Sequence, residues 1–545
     1  FLSWILGIGK NEVGSMEYGV RGALGLTPSL EHISLKRHPF ISVHIPLYNE
    51  KNVVERAIRA STNFDYPGDY EVIIADDSND ETTDIIRNYQ KSFGKASTVS
   101  SAESLRTSRG NGYTLTECEA RPGVTLKHLH RTSRSGFKGG ALREALKHTD
   151  PKAEFISVYD ADFVPYPDTL ELFLKYFQAT AGSLDFASAP NNADIKRRSA
   201  PISVGDQQKS AGQQIAAVQG YQWHVLNKSE NWITRGVRSE YAGSYVIERS
   251  GVEIYSGLKQ ISGAVYMIRR DVLEEIGWET SITEDFQLTL KLYEKGYKVV
   301  YTPYIQAPAE CVSTLKRLVR QRMRWAEGHS NNVRKMFTRL LFGHFSDSNI
   351  ANPKSQILNP KQYLNSNDQN SKRFEHLDLR NSNLFSASHK KKWVPSPLTL
   401  SEKLEFLYLS PYYLQAFFFL LGTLSWLISE TIFQSRLPFW TSLWGWSLVL
   451  TNLISLPLMN AVGLFLEESE ERDYQGILSF IVLTYIIVPF QAYASLKGFL
   501  QKQEGPWFRT PKTGRITDII ARGRFYRFIF GILPGRSQPA IARMI

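Results

Sequence analysis

Two long apolar stretches in the C-terminal third most constrain the fold. Residues 412–433 and 439–466 are each long enough to cross a bilayer as a helix, and Glu430 is their only charged residue. Lipid offers no partners to backbone groups, so such segments must be helical. A third stretch, 476–500, contains Pro489 and is predicted to be broken, as an interfacial or re-entrant segment. The sequence therefore predicts an integral protein of a plasma or inner membrane, with two spans.

Composition divides the chain into five segments. Residues 1–39 form an N-terminal segment, which opens with FLSWILGIG, either the end of a truncated spanning helix or a short interfacial or buried piece. Residues 40–345 predict a cytosolic α/β domain that ends in amphipathic interfacial helices. Residues 346–395 are polar and predict a loop or insert. Residues 396–501 contain the membrane region. The Lys- and Arg-rich tail, 502–545, is expected in the cytosol because basic residues favour that side.

Charge and cysteine content exclude several classes of protein. The net charge is +11, which would suit nucleic acid, anionic substrates or an anionic membrane surface. The basic residues cluster beside the apolar stretches and not around aromatic stacking platforms, so no nucleic-acid partner is expected. The only cysteines, Cys118 and Cys311, are far apart, which argues against a disulfide framework or a structural zinc site.

The domain before residue 345 alternates strand and helix patterns. Strands are predicted at 41–50, 70–80, 124–133 and 153–163, with helical stretches between them. This alternation predicts a doubly wound, mostly parallel sheet whose ligands bind beyond the carboxyl ends of the strands. No G-x-G-x-x-G motif follows a strand and no phosphate-binding P-loop motif occurs, so a Rossmann dinucleotide site is not favoured.

Pairs of carboxylates end two of these strands. Asp160 and Asp162 are two residues apart, so in an extended strand their side chains point to the same face. Adjacent carboxylates repel each other unless a cation, a proton or solvent relieves them, and paired oxygens suit Mg²⁺ or Mn²⁺. The alternative is a solvated acidic turn. Asp76 and Asp77 end a second strand, and the sheet would bring both pairs to one crevice.

Two further motifs lie downstream. Asp285, in TED, precedes an amphipathic stretch and is either a functional acid or an ordinary helix-N-terminal acid. QRMRW, residues 321–325, lies in a basic helical pattern that suits anionic lipid. It also suits a sugar platform with a diphosphate clamp, because aromatic faces pack on pyranose rings and guanidinium groups bind phosphate.

Taken in order, these motifs resemble the processive, inverting family-two glycosyltransferases, the group of cellulose synthases, hyaluronan synthases and cellulose-synthase-like enzymes. The matching pieces are IPLYNE, ADDSND, KGGAL, DAD, VQGYQWHVLN, TED and QRMRW, followed by the apolar helices and WFRTPKTG. The resemblance implies a GT-A-like nucleotide-sugar-binding fold. It also implies a membrane-embedded β-glycosyltransferase that polymerises a sugar from a nucleotide-sugar donor and exports the polysaccharide. The sequence does not name the sugar; we favour UDP-glucose over GDP-mannose and UDP-N-acetylglucosamine.

The resemblance also implies a role for each matching residue. Asp285 would be the general base, with Glu284 beside it in the catalytic motif. The donor would be bound by Pro46, Tyr48, Glu50, Asp76, Asp77, Lys138 and Asp160. The metal, Mg²⁺ or Mn²⁺, would be held by Asp160 and Asp162. The acceptor end and the leaving diphosphate would meet Gln321, Arg324 and Trp325. A gating loop would contain Arg509, Thr510 and Lys512.

This chemistry is consistent with the residues themselves. Inverting transfer needs one base for the acceptor hydroxyl and one electrophile for the departing nucleoside diphosphate. A glycosidase would need two carboxylates flanking the bond and no metal. The expected partners are a nucleotide-sugar donor, a growing polysaccharide and the lipid bilayer. Two alternatives stay open: a non-processive transferase that adds one sugar to a lipid carrier, and an inactive membrane protein that binds a nucleotide.

Overall fold

The structure is a computed structural model that describes most of the α/β domain and parts of the chain that follows it. The described residues are 34–96, 106–110, 112–180, 215–347, 391–432, 454–467, 473–501, 504–505 and 509–518. The N-terminal segment before residue 34, most of the polar insert and most of the predicted span at 439–466 lie outside them.

A nine-stranded sheet forms the centre of the described domain. Its strands are β1 Ile41–Leu47, β2 Tyr70–Asp76, β3 Arg106–Gly110, β4 Tyr113–Arg121, β5 Val124–Arg131, β6 Phe155–Val158, β7 Ile215–His224, β8 Tyr266–Arg269 and β9 Lys298–Ala309. Their order is β3-β4-β5-β2-β1-β6-β8-β7-β9. The four predicted strands are β1, β2, β5 and β6, which are adjacent and parallel. The predicted parallel-rich α/β fold is confirmed, while β4 and β8 run antiparallel to their neighbours.

Helices cover the sheet. They are α1 Val54–Ser61, α2 Thr82–Ala96, α3 Phe137–Lys147, α4 Thr169–Thr180, α5 Trp232–Ala242, α6 Arg249–Ile254, α7 Arg270–Ile276, α8 Glu284–Glu294 and α9 Leu315–Leu341. A π-helical turn, Gly243–Glu248, joins α5 to α6. Strands β1 and β2 are buried along nearly their whole length, including their polar residues: the Ser42 hydroxyl donates to Glu71 at 2.7 Å and lies 3.1 Å from His44 Nε2.

Strand register brings the acid-bearing strand ends together. Leu47 at the end of β1 pairs with Asp76 at the end of β2, and Asp76 pairs with His130 near the end of β5. On the other side of β1, His44 pairs with Val158, the last residue of β6. The residues that follow β2 and β6 therefore flank the end of β1, as the sequence predicts.

The chain after α9 contains four described helices and a short ribbon. The helices are α10 Leu400–Leu409, α11 Leu414–Thr431, α12 Leu456–Glu467 and α13 Tyr474–Leu500, and the ribbon pairs β10 Gly343–Asp347 with β11 Lys391–Pro395. By length and composition, α13 is the one described helix that could cross a bilayer by itself, with mean hydropathy 1.9. The pair α10 and α11, bent by 51°, is a second candidate and includes most of the predicted span at 412–433.

The prediction of a break at Pro489 is wrong, because α13 runs without interruption through this residue. Proline removes one backbone hydrogen bond, and this loss is tolerated where neighbouring helices support the chain. Such support is present: α13 lies along α5 and α9 of the α/β domain. Near its start Asp473 pairs with Arg235 at 3.2 Å, and near its end Lys497 pairs with Glu327 at 2.9 Å.

Candidate active site

A cavity of about 180 Å³ lies beyond the carboxyl ends of β1, β2 and β6. Nearly all the residues singled out in the sequence line this cavity. From the predicted set, its walls contain Pro46, Tyr48, Glu50, Asp77, Lys138, Asp160, Asp162, Glu284, Asp285, Gln321, Arg324, Trp325, Arg509, Thr510 and Lys512. Residues from seven separate parts of the chain thus meet at the edge of the sheet where an α/β fold binds ligands.

The carboxylates that follow β6 are each paired with a lysine. Asp160 Oδ1 accepts a hydrogen bond from Lys138 Nζ at 2.6 Å, and Asp162 Oδ2 accepts one from Lys512 Nζ at 2.6 Å. Burial opposes ionisation of Asp162, but the Lys512 ammonium beside it holds the pKa of this carboxyl below its usual range. Two carboxylates that each already pair with an ammonium group are hard oxygen ligands of the type that Mg²⁺ and Mn²⁺ prefer, so these residues fit a divalent metal.

Glycines place Lys138 at the site. A Cβ atom on Gly139 would lie 2.3 Å from the carbonyl oxygen of Glu279, and one on Gly140 would lie 2.0 Å from that of Ser135. The KGGAL sequence therefore allows the first turn of α3 to approach two other segments closely. There Lys138 Nζ also donates to the carbonyl oxygen of Gly263 at 2.8 Å.

The acids of TED lie in the first turn of α8. Glu284 is buried and its Oε1 is 3.4 Å from Lys138 Nζ, whereas Asp285 is only partly buried and faces the cavity. Asp285 Oδ1 accepts a hydrogen bond from the backbone N–H of Phe286 at 2.9 Å. Burial raises the pKa of Asp285, with Lys138 opposing the shift. A carboxylate with a raised pKa is a stronger proton acceptor, which suits a general base.

The QRMRW motif divides its side chains between two environments. Gln321, Arg324 and Trp325 line the cavity, and Arg324 Nη1 donates to the carbonyl oxygen of Ile282 at 2.9 Å. Arg322 is buried, lies 4.4 Å over the ring of Trp325 and pairs with Glu240 at 2.6 Å. The cation–π contact and the ion pair hold the indole in place.

The two acids at the end of β2 differ. Asp77 lines the cavity and forms a bidentate ion pair with Arg131. Asp76 is fully buried and does not line the cavity, contrary to the prediction that it binds the donor. Its Oδ2 accepts hydrogen bonds from Thr83 and lies 3.0 Å from His128 Nε2 and 3.2 Å from His130 Nδ1. Successive strand residues face opposite sides of a sheet, which separates this pair.

Asp76, His128 and His130 also have the composition of a metal site, since their ligand atoms lie within 4.8 Å of one another. The hydrogen bonds among them, together with the one from Thr83, already satisfy the carboxylate. We interpret the group as a hydrogen-bonded support for the end of β2.

The C-terminal segment 509–518 closes one side of the cavity. Arg509 Nε donates to Glu50 Oε1 at 3.0 Å, and its Nη2 donates to Oε2 at 3.2 Å. Burial raises the pKa of Glu50 to about 7, with Arg509 opposing the shift. Thr510 and Lys512 also line the cavity. The predicted gating-loop residues therefore lie directly beside the acids that follow β1 and β6.

Several cavity residues were not predicted. They are Arg134, Phe137, Gln222, His224, Tyr241, Ser262 and Gly263. Gln222 and His224 belong to the motif VQGYQWHVLN, to which the sequence reading assigned no side-chain role. Arg134 stacks 3.5 Å from the centre of the Tyr48 ring, and its only sequence signal is its position just before KGGAL. Tyr241 comes from α5, whose amphipathic pattern carries no such signal.

A second cavity, of about 230 Å³, adjoins the first. The residues common to both walls are Gln222, Tyr241, Ser262, Thr283, Asp285 and Trp325. Its other side chains include the aromatic residues Tyr245, Tyr301, Tyr412 and Tyr413. The rings of Tyr241 and Tyr245 are nearly parallel, at an interplanar angle of 11° with centroids 5.7 Å apart. Asp285 thus stands where a polar, charged cavity meets one lined by aromatic rings.

Comparison with known proteins finds one family. Residues 38–328 match the profile described as "Glycosyltransferase like family 2", and residues 209–493 match "Glycosyl transferase family group 2". Probable glucomannan 4-beta-mannosyltransferase 3 of Oryza sativa subsp. japonica is 27% identical over 311 residues, 56% of this chain and 46% of that protein. Glucomannan 4-beta-mannosyltransferase 7 of Arabidopsis thaliana is 26% identical over 305 residues, 55% of this chain and 44% of that protein. The chain spans about half the length of the curated relatives it matches.

Among solved structures, one similar chain is a mannosyltransferase from Pyrobaculum calidifontis in complex with GDP-Man and Mn²⁺. The match covers 57% of this chain and 66% of the mannosyltransferase chain, with TM-score 0.34 and 18% sequence identity. Glucosyl-3-phosphoglycerate synthase from Mycobacterium tuberculosis matches 56% of this chain and 84% of its own, with TM-score 0.28 and 16% identity. Because the first profile covers more than half of the sequence, from the start of the sheet to α9, the chain belongs to glycosyltransferase family 2.

Proposed function

We propose that this protein transfers a hexose, with inversion, from a nucleotide-sugar donor to the end of a growing β-linked polysaccharide. The observation that carries the proposal is the position of Asp285 on the shared wall of the two cavities. One cavity contains the paired acids and basic residues that suit a metal-bound nucleoside diphosphate. The other contains aromatic rings that suit pyranose faces.

On the donor side, Asp160 and Asp162 would hold Mg²⁺ or Mn²⁺, which when bound neutralises charge on the leaving diphosphate. Lys138 supplies a further positive charge beside Asp160, and Arg324 supplies another from α9. Asp77, which is held by its ion pair with Arg131, would contact the nucleoside part of the donor. These groups are fixed before the donor binds, which is how a site stabilises charge that develops in the transition state.

On the acceptor side, Asp285 takes the proton from the attacking hydroxyl group of the acceptor sugar. The oxygen of that hydroxyl then forms a bond to the anomeric carbon of the donor. The bond from this carbon to the diphosphate oxygen breaks on the opposite face, and its electron pair leaves with the nucleoside diphosphate. Attack from the face opposite the leaving group gives inversion at the anomeric carbon. One base is sufficient for this single displacement.

A polymer acceptor is favoured over a lipid carrier by the second cavity. Trp325, Tyr241 and Tyr245 offer flat aromatic surfaces beyond Asp285, where sugar units already added to the chain would lie. A transferase that adds one sugar to a lipid carrier would instead need an apolar groove at this point. The polar side chains among the rings, such as Glu240 and Arg322, do not suit an acyl or isoprenoid chain.

The bilayer is proposed as the partner of the C-terminal helices. Large apolar side chains on α11 point outward: Phe418 is 57% exposed, and Leu424 and Leu427 are each 47% exposed. An exposed apolar surface on a long helix suits lipid and not water. We place the catalytic domain in the cytosol, where nucleotide sugars are available, and the polysaccharide leaves through the membrane region.

The names of the relatives favour a mannosyl donor. Because the curated relatives are named glucomannan 4-beta-mannosyltransferases, we propose GDP-mannose as the donor to test first. UDP-glucose is the second. Both sugars are neutral hexoses, so the aromatic cavity serves either polymer.

The test uses membranes that contain the full chain. Labelled GDP-mannose, UDP-glucose and UDP-N-acetylglucosamine are supplied separately with Mn²⁺ or Mg²⁺, and the products are sized. A polymer made from one hexose donor supports the proposal. A single sugar recovered in organic extract would identify transfer to a lipid carrier instead, and no consumption of any donor would identify an inactive nucleotide-binding protein.

A further inference from the structure

We propose that Glu310 is a positioning residue that holds the C-terminal segment 509–518 on the catalytic domain. In this position Lys512 acts as a substitute cation at Asp162 until a metal-bound donor replaces it. The inference rests on the proposed function, because it takes Asp162 to be a ligand of the divalent metal. It adds that the metal binds with the donor's diphosphate and only weakly by itself.

The anchored part of the segment begins at Thr513. Glu310, at the end of β9, is 1% exposed. Its Oε2 accepts a hydrogen bond from the backbone N–H of Thr513 at 2.9 Å, and its Oε1 accepts one from that of Gly514 at 3.1 Å. Arg56 of α1 pairs with the same carboxylate at 2.7 Å. A buried carboxylate that accepts hydrogen bonds from two backbone N–H groups holds a chain segment in one specific position.

The backbone of Gly514 fits only a glycine. Its φ is +75°, and a Cβ atom on this residue would lie 2.5 Å from the carbonyl oxygen of Asn52. The side chain of the same residue also binds the segment, because Asn52 Nδ2 donates to the carbonyl oxygen of Lys512 at 3.0 Å. The segment therefore lies close against Asn52, and an alanine at position 514 would displace it.

Glu310 also connects the segment to the metal-ligating acid. Its backbone N–H donates to Asp162 Oδ2 at 3.2 Å, and its carbonyl oxygen lies 3.3 Å from Lys512 Nζ. Lys512 Nζ in turn lies 2.6 Å from Asp162 Oδ2. The ammonium thus occupies the coordination space of that oxygen, where a divalent cation would have to bind.

Charge balance explains why Lys512 is needed there. Among the described residues, four cavity carboxylates each have a cation of the chain beside them, in the pairs Glu50–Arg509, Asp77–Arg131, Asp160–Lys138 and Asp162–Lys512. A divalent ion arriving alone would have to displace an ammonium from an already neutralised carboxylate. An ion arriving with a diphosphate brings anionic oxygens, to which the displaced Lys512 can bind instead.

The test measures Mn²⁺ binding to the purified full chain without nucleotide, from the electron paramagnetic resonance signal of the free ion. Lys512→Met should bind Mn²⁺ about tenfold more tightly than the wild type, since the competing charged hydrogen bond is lost. Arg515→Met is the matched control, because this exposed residue of the same segment removes one positive charge. It should change Mn²⁺ affinity by less than about twofold. Gly514→Ala should act like Lys512→Met.

Hydrogen–deuterium exchange gives a second readout that does not depend on the metal. The amides of Thr513 and Gly514 should be protected in the wild-type protein and should lose protection in Glu310→Gln. If Lys512→Met does not fold, Gly514→Ala and this exchange measurement decide the question. Fast exchange of the Thr513 amide in the wild type would refute the proposal that Glu310 holds the segment.

The outcomes separate the two proposals. Equal Mn²⁺ affinity in the wild type and in Lys512→Met, abolished in both by Asp162→Asn, would overturn the role of Lys512 and leave the metal site intact. Absence of Mn²⁺ binding in every variant, even with GDP or UDP present, would overturn the metal site and the inference with it. Tighter binding in Lys512→Met that is lost when Asp162→Asn is added supports both.

Discussion

Replacement of Asp285 by asparagine separates chemistry from binding at this site. Asparagine has nearly the same shape, and its Oδ1 can still accept the hydrogen bond from Phe286 N–H that orients the side chain at 2.9 Å. What is lost is the basicity of the carboxylate. General-base contributions are about 10²- to 10⁴-fold in rate, or roughly 3 to 5 kcal/mol of barrier. We therefore expect turnover to fall by that factor.

Folding and donor binding should survive the same change. Burial raises the pKa of Asp285, so ionised Asp285 is disfavoured in the folded state, and asparagine removes that cost. If the acid served only the helix N-terminus, its loss would reduce stability by about 0.3 to 1 kcal/mol and leave activity intact. The two explanations predict opposite results for the melting temperature and for turnover.

The assay compares nucleoside-diphosphate affinity by calorimetry with polymer output on the same purified variant. Glu284→Gln is the matched control, because Glu284 is the neighbouring acid but its carboxylate lies beside Lys138 and not on the wall shared by the two cavities. It should disturb donor binding more than Asp285→Asn does. If Asp285→Asn retained more than about a tenth of the wild-type polymer output, Asp285 would not be the general base.

Three further predictions concern the metal, pH and the acceptor. Chelation by EDTA should stop transfer and added Mn²⁺ or Mg²⁺ should restore it, whereas Asp162→Asn should not be restored; full activity in EDTA would refute the metal site. Burial raises the pKa of Glu50 to about 7. The folded protein therefore loses stability as pH rises from about 4.5 to about 7, and the total loss is roughly 3 kcal/mol. Glu50→Gln should therefore raise the melting temperature at pH 8 and leave it unchanged at pH 4; equal shifts at both would contradict the assignment. Trp325→Ala should raise the acceptor KM by about tenfold, as loss of an aromatic stacking surface predicts, with donor KM nearly unchanged; a donor effect of the same size would place Trp325 elsewhere.

The parallel strands and their acidic ends were predictable because burial and register act locally. Alternating strand and helix patterns predict a parallel sheet, and the rule that ligands bind beyond the carboxyl ends of its strands then brings Asp77, Asp160 and Asp162 together. Asp76 was misjudged because adjacent strand residues face opposite sides, and the sequence does not show which side is the cavity. At Pro489, packing along α5 and α9 outweighs the local tendency of proline to end a helix.

The contacts that close the site depend on tertiary structure, so the sequence singles out a residue such as Lys512 without showing which residues it contacts. Lys512 lies 350 residues from Asp162, and nothing in the run that ends β9 marks Glu310 as the residue that joins them. The same holds for Tyr241, which reaches both cavities from α5.

Lys138 shows how the two functions of the site depend on each other. Its ammonium contacts Asp160 at 2.6 Å and lies 3.4 Å from Glu284, the residue before the proposed base. Burial disfavours the charged lysine, but Asp160 and Glu284 raise the pKa of Lys138 above its usual range, so it stays charged. That charge also opposes the rise in the pKa of Asp285. One residue of α3 therefore stabilises Asp160, a proposed metal ligand, while limiting the basicity of Asp285, the proposed general base.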